Sequence, residues 1–355
     1  MAAADPFAGV ALHAIGGLAA ASFYLPYRGV KRWSWETYWL VGGVFSWVVA
    51  PWVLASIVCP GIWGVLRDAP MESIRNSYLF GVMWGIGGLT FGLSMRYLGL
   101  SLGYAVALGF CAVFGTMLPP IVDHTIGKVV HSLSGHWVLA GVFITAVGIA
   151  FSGLAGVSKE RDLPGEKQRE VISEFSLVKG LLVAVFAGIM SAAMAYGLAA
   201  GKPIEEVAVR HGTPDLWKVV PVFCVVLAGG FTTNVIWCVA LNIHKSSGGE
   251  YLAAYKDRQP VPLGTNYLFS ALAGVTWYLQ FMFYGMGTTK MGQYNFSSWS
   301  LHMASIIIFS TLWGLALREW KGAGSRTGLL MALGLATLIG SILVIGYGNY
   351  LAPPS

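Results

Sequence analysis

Ten stretches of this 355-residue chain are each long and apolar enough to cross a lipid bilayer. A helix rises about 1.5 Å per residue and the hydrocarbon core is about 30 Å thick, so a span needs roughly 20 predominantly apolar residues. We place the spans at 7–27, 36–58, 74–97, 101–121, 136–156, 178–200, 217–242, 265–288, 297–318 and 327–350. The sequence therefore predicts an all-α membrane protein with ten transmembrane helices.

The composition agrees with this prediction. The chain is 56% hydrophobic and only 11% charged, whereas a soluble domain carries about 25% charged residues. It also contains 46 glycines, and small residues let helix backbones approach closely in lipid. We expect Gly141, Gly148, Gly334 and Gly340 to have this packing role.

The net charge of +6 is explained by membrane topology, so no nucleic-acid partner is expected. Lysine and arginine accumulate in the cytoplasmic loops of membrane proteins. When loops are assigned alternately to the two faces, 15 of the 22 basic residues fall on one face and 7 on the other. We predict that the richer face is cytoplasmic. Both termini then lie outside, and the chain crosses the membrane many times.

The most charged segment, Lys159 to Glu174, separates five spans from five spans. An odd number of spans in each half forces the halves into opposite orientations. The sequence thus predicts a first repeat at 1–158, a linker at 159–177 and a second repeat at 178–355. Leu79-Phe80 before Gly85 is echoed by Leu268-Phe269 before Gly274. Inverted repeats are common in secondary transporters, which bind substrate near the midplane between the halves.

Several motifs along the chain are more specific than a general membrane pattern. They are Phe23-Tyr24, KRWSWET at 31–37, Phe80-Gly81, MWGIG at 83–87, MRYLG at 95–99, WYLQF at 277–281 with Tyr284, Ser298-Trp299, Leu301-His302-Met303 and Arg318-Glu319-Trp320. In these motifs the chain resembles the L-rhamnose–proton symporter family of the drug/metabolite transporter superfamily. The resemblance implies two inverted five-helix halves and proton-driven uptake of a 6-deoxyhexose across a bacterial inner membrane, with L-rhamnose as the expected sugar.

Polar residues inside the spans are candidate sugar ligands, because a buried polar group in lipid needs a partner. Trp277, Gln280 and Tyr284 are spaced three and four apart and share one helix face. A hexose offers hydroxyls for an amide and an apolar face for an aromatic ring. An interhelical hydrogen bond is the alternative role for Gln280. The predicted substrate-binding residues are Gln280, Trp277, Tyr284, His302, Trp84, Asn234, Ser191 and Tyr24.

Proton coupling needs a group that changes its charge near neutral pH, and histidine is the natural one. His13 and His302 lie well inside spans, and no aspartate or glutamate lies in mid-span. We therefore predict that His302, or as the second choice His13, carries the coupling proton. A structural hydrogen bond is the alternative role for each histidine. Glu36 lies near a span end beside Arg28 and Lys31, and we interpret it as a helix-entry or ion-pair residue, with gating as the alternative role.

Three other functions remain as alternatives. An exporter of amino acids or drug-like metabolites belongs to the same superfamily, and a sugar receptor or a membrane enzyme belongs to a different class. The spans contain no paired carboxylates and no plausible Ser/His/Asp set, so the sequence does not favour an enzyme. The four cysteines form no CxxC pair, so neither a metal nor a cofactor is predicted.

Overall fold

The computed structural model describes residues 5–98, 100–122, 124–161, 177–318 and 320–352. This part of the chain is almost entirely helical. A single two-residue antiparallel hairpin of β1 (Tyr255–Lys256) and β2 (Gln259–Pro260) interrupts the helices there. Most of the predicted linker 159–177 lies outside the described residues.

The helices are named α1 to α15 in chain order. They are α1 (Pro6–Ser22), α2 (Tyr24–Tyr27), α3 (Trp35–Gly43), α4 (Ala50–Val58), α5 (Ile62–Asp68), α6 (Met71–Leu98), α7 (Leu100–Val122), α8 (Ile126–Val130), α9 (Leu133–Arg161), α10 (Leu177–Ala200), α11 (Lys202–Arg210), α12 (Val220–His244), α13 (Leu263–Thr288), α14 (Ser298–Ala316) and α15 (Ser325–Tyr350). A π-helical segment, Val44–Val49, joins α3 to α4. Short 3-10 turns lie at Asp215–Trp217, Gly248–Tyr251 and Gly292–Ser297.

Seven segments of the described chain are long and apolar enough to cross a membrane. They are Pro6–Tyr27, Trp35–Val58, Leu133–Lys159, Val178–Arg210, Asp215–His244, Asn295–Ala316 and Ser325–Tyr350. Large apolar side chains such as Ile57, Leu182 and Leu343 are 74%, 68% and 68% exposed on the protein surface. Such exposure suits a surface covered by lipid rather than by water. The prediction of an all-α, multi-pass membrane protein is therefore confirmed.

Prolines account for the breaks in the first two helical segments. A proline cannot donate a backbone hydrogen bond, and its ring crowds the carbonyl four residues earlier. Pro26 lies just after the break between α1 and α2 at Phe23. Pro51 follows the wide turns of the π-helical segment. These turns accommodate the backbone hydrogen bond that Pro51 cannot donate to the carbonyl of Trp47. The π-helical segment was not predicted from the sequence.

Close helix packing depends on glycines, as in other membrane proteins. Along the contact of α9 with α15, Gly141 faces Ile345 and Gly148 faces Leu338, while Gly334 packs on Ser152. The expected role of these three glycines is confirmed. The expectation for Gly340 was wrong, because nothing lies within 4 Å of the position that a side chain would take there.

The crossing of α6 with α12 provides a test of this packing. A methyl group on Gly81 would collide with the backbone carbonyl of Val226. We expect Gly81→Ala to destabilise the protein by about 1–3 kcal/mol, since a crowded backbone must shift to admit it. Thermal unfolding in detergent should show a lower melting temperature than for wild type.

Gly88→Ala is the matched control, since Gly88 lies on the same helix and faces open space. Alanine favours a helix over glycine by about 1 kcal/mol, so this variant should melt at or above the wild-type temperature. Equal melting temperatures for the two variants would show that the α6–α12 crossing is looser than described.

Candidate functional site

Three helices bring four polar side chains together, and we call this group the histidine cluster. His13 comes from α1, Gln280 and Tyr284 from α13, and His302 from α14. The ring centre of Tyr284 lies 5.2 Å from that of His13 and 5.3 Å from that of His302. The two imidazole centres are 6.4 Å apart. Both histidines are fully buried.

Glycines allow these helices to come this close. A side chain on Gly16 of α1 would press against the Gln280 carbonyl and the His302 ring. A side chain on Gly287 of α13 would overlap the ring of His13. The small residues therefore determine where the two imidazoles lie.

The hydrogen bonding of the cluster is incomplete. Nε2 of His302 lies 3.4 Å from Oε1 of Gln280, a long hydrogen bond in which Nε2–H donates. Within the described residues, neither ring nitrogen of His13 has a hydrogen-bond partner. A buried nitrogen without a hydrogen-bond partner destabilises the folded protein. Two imidazolium charges this close would repel each other, so protonation of both rings at once is disfavoured.

A second group, the tryptophan cluster, lies next to Gln280 and consists of Trp47, Trp84, Trp277 and Phe281. The ring of Trp277 lies 5.4 Å from that of Trp47 and 5.8 Å from that of Trp84. Phe281 lies 4.9 Å from Trp277. Sequence reasoning found Trp84 and Trp277 but missed Trp47, which lies in the π-helical segment. The aromatic rings of Trp277 and Phe281 lie within one helical turn of Gln280 along α13.

Three other predicted ligands lie outside the histidine cluster. Asn234 accepts a 3.4 Å hydrogen bond from the indole nitrogen of Trp39. Tyr24 is 48% exposed, and its ring centre lies 6.1 Å from that of Trp39. Ser191 is half-buried and packs against Gly87 of α6. The structure thus joins Gln280, Tyr284 and His302. Asn234 and Tyr24 lie beside Trp39, which shares a small pocket with Trp47 and Trp277.

A cavity of about 340 Å³ lies beyond Tyr284, and we call it the vestibule. It is formed by the ends of α7, α10 and α13, the start of α14 and the short helices α8 and α11. Tyr284 and Trp299 line it, so Tyr284 contacts both the cavity and the buried histidines. Lys128 and Lys202 also line it and are exposed, which places one end of the vestibule in solvent.

Trp299 is held firmly at the vestibule. Its indole nitrogen donates a 3.1 Å hydrogen bond to the carbonyl of Cys111. Its ring meets the Tyr284 ring edge-on, with centres 5.7 Å apart. Gly115 leaves room for the indole edge, because any side chain there would collide with it. Sequence reasoning gave Trp299 no ligand role, although it lies three residues before His302.

The opposite end of the helices is closed by charged side chains. Glu36, in the first turn of α3, is fully buried and pairs with Lys245 at 3.0 Å. The hydroxyl of Ser247 donates to the same carboxylate at 2.8 Å. The interpretation of Glu36 as a helix-entry and ion-pair residue is therefore confirmed. This polar layer joins the start of α3 to the segment after α12, and we call it the closure.

Glu250 extends the closure. Its carboxylate pairs with Lys256 and accepts hydrogen bonds from the hydroxyls of Ser34 and Thr37. Burial raises the pKa of Glu250, but Lys256 and these hydrogen bonds outweigh that effect and bring the pKa below its ordinary value. Glu250 therefore remains ionised at neutral pH, as a structural ion pair requires.

Comparison with known proteins agrees with the motifs. A sequence model described as L-rhamnose-proton symport protein (RhaT) matches residues 3–350. Relatives named L-rhamnose-proton symporter from Salmonella typhi, Salmonella paratyphi B and Salmonella newport are each 38% identical over 341 residues. These matches cover 96% of this chain and 97% of each relative. The chain belongs to the L-rhamnose–proton symport protein family.

Proposed function

We propose that this chain carries L-rhamnose, or a closely related 6-deoxyhexose, into a bacterial cell together with protons. The observation that carries the proposal is the family match over residues 3–350, supported by relatives of the same length. The protein acts as a transporter and not as an enzyme. Export of amino acids or drug-like metabolites is not favoured, because the relatives are named for rhamnose–proton symport.

Ten membrane-spanning helices in two inverted repeats, 1–158 and 178–355, are the proposed architecture. Beyond the seven segments already described, α6, α7 and α13 would also cross. The helix contacts support this arrangement, because contacts made by helices of one half recur between the corresponding helices of the other half. Contact of α6 with α10 is matched by α13 with α1, and contact of α7 with α10 by α14 with α1. The helices α9 and α15 are the last spans of the two repeats, so their mutual contact would lie on the symmetry axis.

Both termini are expected to lie outside the inner membrane, because 15 of the 22 basic residues fall on the opposite face. A tag at the C-terminus should therefore be reached by antibody in intact spheroplasts. A tag on an engineered cytoplasmic loop serves as the control and should need permeabilised cells. Fluorescence from a C-terminal fusion that is active only in the cytoplasm would rule out this topology.

In this orientation the vestibule faces outside and the closure faces the cytoplasm. Alternating access then requires the Glu36–Lys245 layer to separate while the vestibule closes. The described arrangement would correspond to the state that receives sugar from outside. Asn234 and Tyr24 lie towards the cytoplasmic end, where the sugar would pass after the closure opens. We propose a contact for Ser191 along the same path.

The central sugar site is proposed between the histidine and tryptophan clusters. Gln280 would exchange its long bond to His302 for hydrogen bonds to ring hydroxyls, since an amide both donates and accepts. Trp277 or Trp84 would cover the apolar face that includes the methyl group. Tyr284, between the vestibule and the histidines, would meet the sugar first.

The coupling proton is proposed to reside on His302, with His13 as the second choice. His302 contacts Gln280 directly, so a proton on its ring alters the group that binds the sugar. This arrangement ties the two substrates together without a mid-membrane carboxylate. The mutual repulsion of two charged imidazoles disfavours protonation of both rings at once.

Counterflow in proteoliposomes tests the proposed transport. Vesicles loaded with unlabelled L-rhamnose should accumulate labelled rhamnose transiently from a dilute external solution. A receptor or an enzyme would give no counterflow. Wild-type protein that shows no rhamnose counterflow would rule out the proposed function.

A further inference from the structure

The vestibule contains a carboxylate that the proposed central site does not use. Glu205 lies in the first turn of α11, is half-buried and lines the cavity. Its neighbour Glu206 is exposed and is not part of the lining. A carboxylate offers two acceptor oxygens, and partial burial strengthens the hydrogen bonds that it accepts. The position of Glu205 therefore suits a ligand that brings hydroxyl groups.

The other lining groups complement this carboxylate. Lys128 and Lys202 supply donors, while Thr288 and Asn295 supply further polar atoms. Trp299 provides an aromatic surface that is fixed by its bond to Cys111. Pockets for small ligands typically measure about 300–1,000 Å³, and the vestibule volume of about 340 Å³ falls at the lower end. A monosaccharide is a ligand of suitable size and polarity.

The vestibule combines hydrogen-bond donors with acceptors, which suits a neutral polyol. The ammonium groups of Lys128 and Lys202 can only donate, and the Glu205 carboxyl group offers acceptor oxygens. A sugar can donate its hydroxyl protons to the carboxylate and accept from the ammonium groups at the same time. It can also place an apolar face on Trp299.

We propose that the vestibule is a second sugar-binding site, in which Glu205 accepts hydrogen bonds from sugar hydroxyls before the sugar reaches the central site. The inference rests on the proposed function for the identity of the sugar. Tyr284 borders both sites, since it lines the vestibule and contacts both buried histidines. The sugar would thus be held above Tyr284 until that ring moves aside.

Protection of a cysteine placed in the vestibule tests this inference. Thr288 lines the cavity, and its hydroxyl donates to the carbonyl of Gly285 in its own helix, so Thr288→Cys should fold. The four native cysteines are buried and should react slowly with a membrane-impermeant maleimide. We expect L-rhamnose to slow the labelling of Thr288→Cys in intact cells several-fold. Glu72→Cys, an exposed position at the start of α6, is the control and should label equally with and without sugar.

Two further variants in the Thr288→Cys background locate the bound sugar. Glu205→Gln should raise the rhamnose concentration needed for half-protection by tenfold or more, because it replaces one of the two acceptor oxygens with an amide donor. Glu206→Gln, the matched control on the same helix, should leave that concentration unchanged. Gln280→Ala should also leave it unchanged, because that residue belongs to the central site.

Labelling that rhamnose does not slow would overturn the inference. Protection that is lost in Gln280→Ala but unchanged in Glu205→Gln would also overturn it, because the sugar would then act from the central site. The assay needs binding but no transport. Its failure can therefore be separated from failure of the proposed symport, which counterflow measures on wild-type protein.

Discussion

Replacing His302 with glutamine is expected to abolish rhamnose-driven proton movement while leaving part of the rhamnose counterflow. Glutamine can retain a hydrogen bond to Gln280, but it cannot gain a proton near neutral pH. The variant should therefore exchange sugar without moving charge. The measurement is the change of internal pH in proteoliposomes when L-rhamnose is added, compared with counterflow of labelled sugar.

His244→Gln is the control, since His244 is exposed at the end of α12, and it should behave as wild type. His13→Gln tests the second member of the pair. If His302→Gln and His13→Gln both give the wild-type pH change, the proton does not pass through the histidine cluster. Glu36 would then be the next candidate, although its ion pair with Lys245 lies at the closure.

Gln280→Ala is expected to weaken rhamnose binding by roughly ten-fold to a hundred-fold. Sugar hydroxyls left without a partner in a buried site cost about 1–3 kcal/mol, and about 1.4 kcal/mol corresponds to a factor of ten. Calorimetry on purified protein measures the change directly. Leu272→Ala on the same helix is the control, since Leu272 is 45% exposed on the outer surface and should bind normally.

Trp277→Ala and a change of sugar extend this test. L-Mannose carries a hydroxymethyl group where L-rhamnose has a methyl group, so it should lose about 1 kcal/mol of apolar contact. Truncating Trp277 should reduce that preference for the methyl group. Near-wild-type affinity in both Gln280→Ala and Trp277→Ala would place the sugar away from α13.

The helices were predictable because their length and apolarity are imposed by the bilayer. Each predicted span coincides with a described helix or pair of helices to within a few residues. The short helices α5, α8 and α11 were missed, because their few residues carry no comparable signal. The π-helical segment was missed as well, since it depends on how the chain relaxes before Pro51.

The candidate site was only partly predictable. Gln280 and His302 were identified because amide and imidazole groups are costly in lipid, and the structure brings them into contact. The direction that each side chain faces was not predictable, since both lipid and protein neighbours are apolar and leave little periodicity. For this reason Asn234 and Ser191 were grouped with Gln280, although Asn234 contacts Trp39 and Ser191 packs against Gly87. Their roles as sugar ligands stay predictions.

The vestibule was not predictable from the sequence for a different reason. Lys202 and Glu205 lie between two predicted spans, where charged residues usually face water. Only the folding of α11 against the ends of α10 and α12 brings them beside Trp299. Trp299 itself was noted as part of a motif but not as a ligand.

The central claim, rhamnose–proton symport, is tested most directly with purified protein in proteoliposomes that contain a trapped pH dye. L-Rhamnose is added outside with no imposed pH gradient, and labelled sugar uptake is recorded in parallel. We predict internal acidification that follows rhamnose entry and is absent with a sugar that does not bind. Rhamnose entry with no change of internal pH would contradict the account, because sugar entry would then not be coupled to protons.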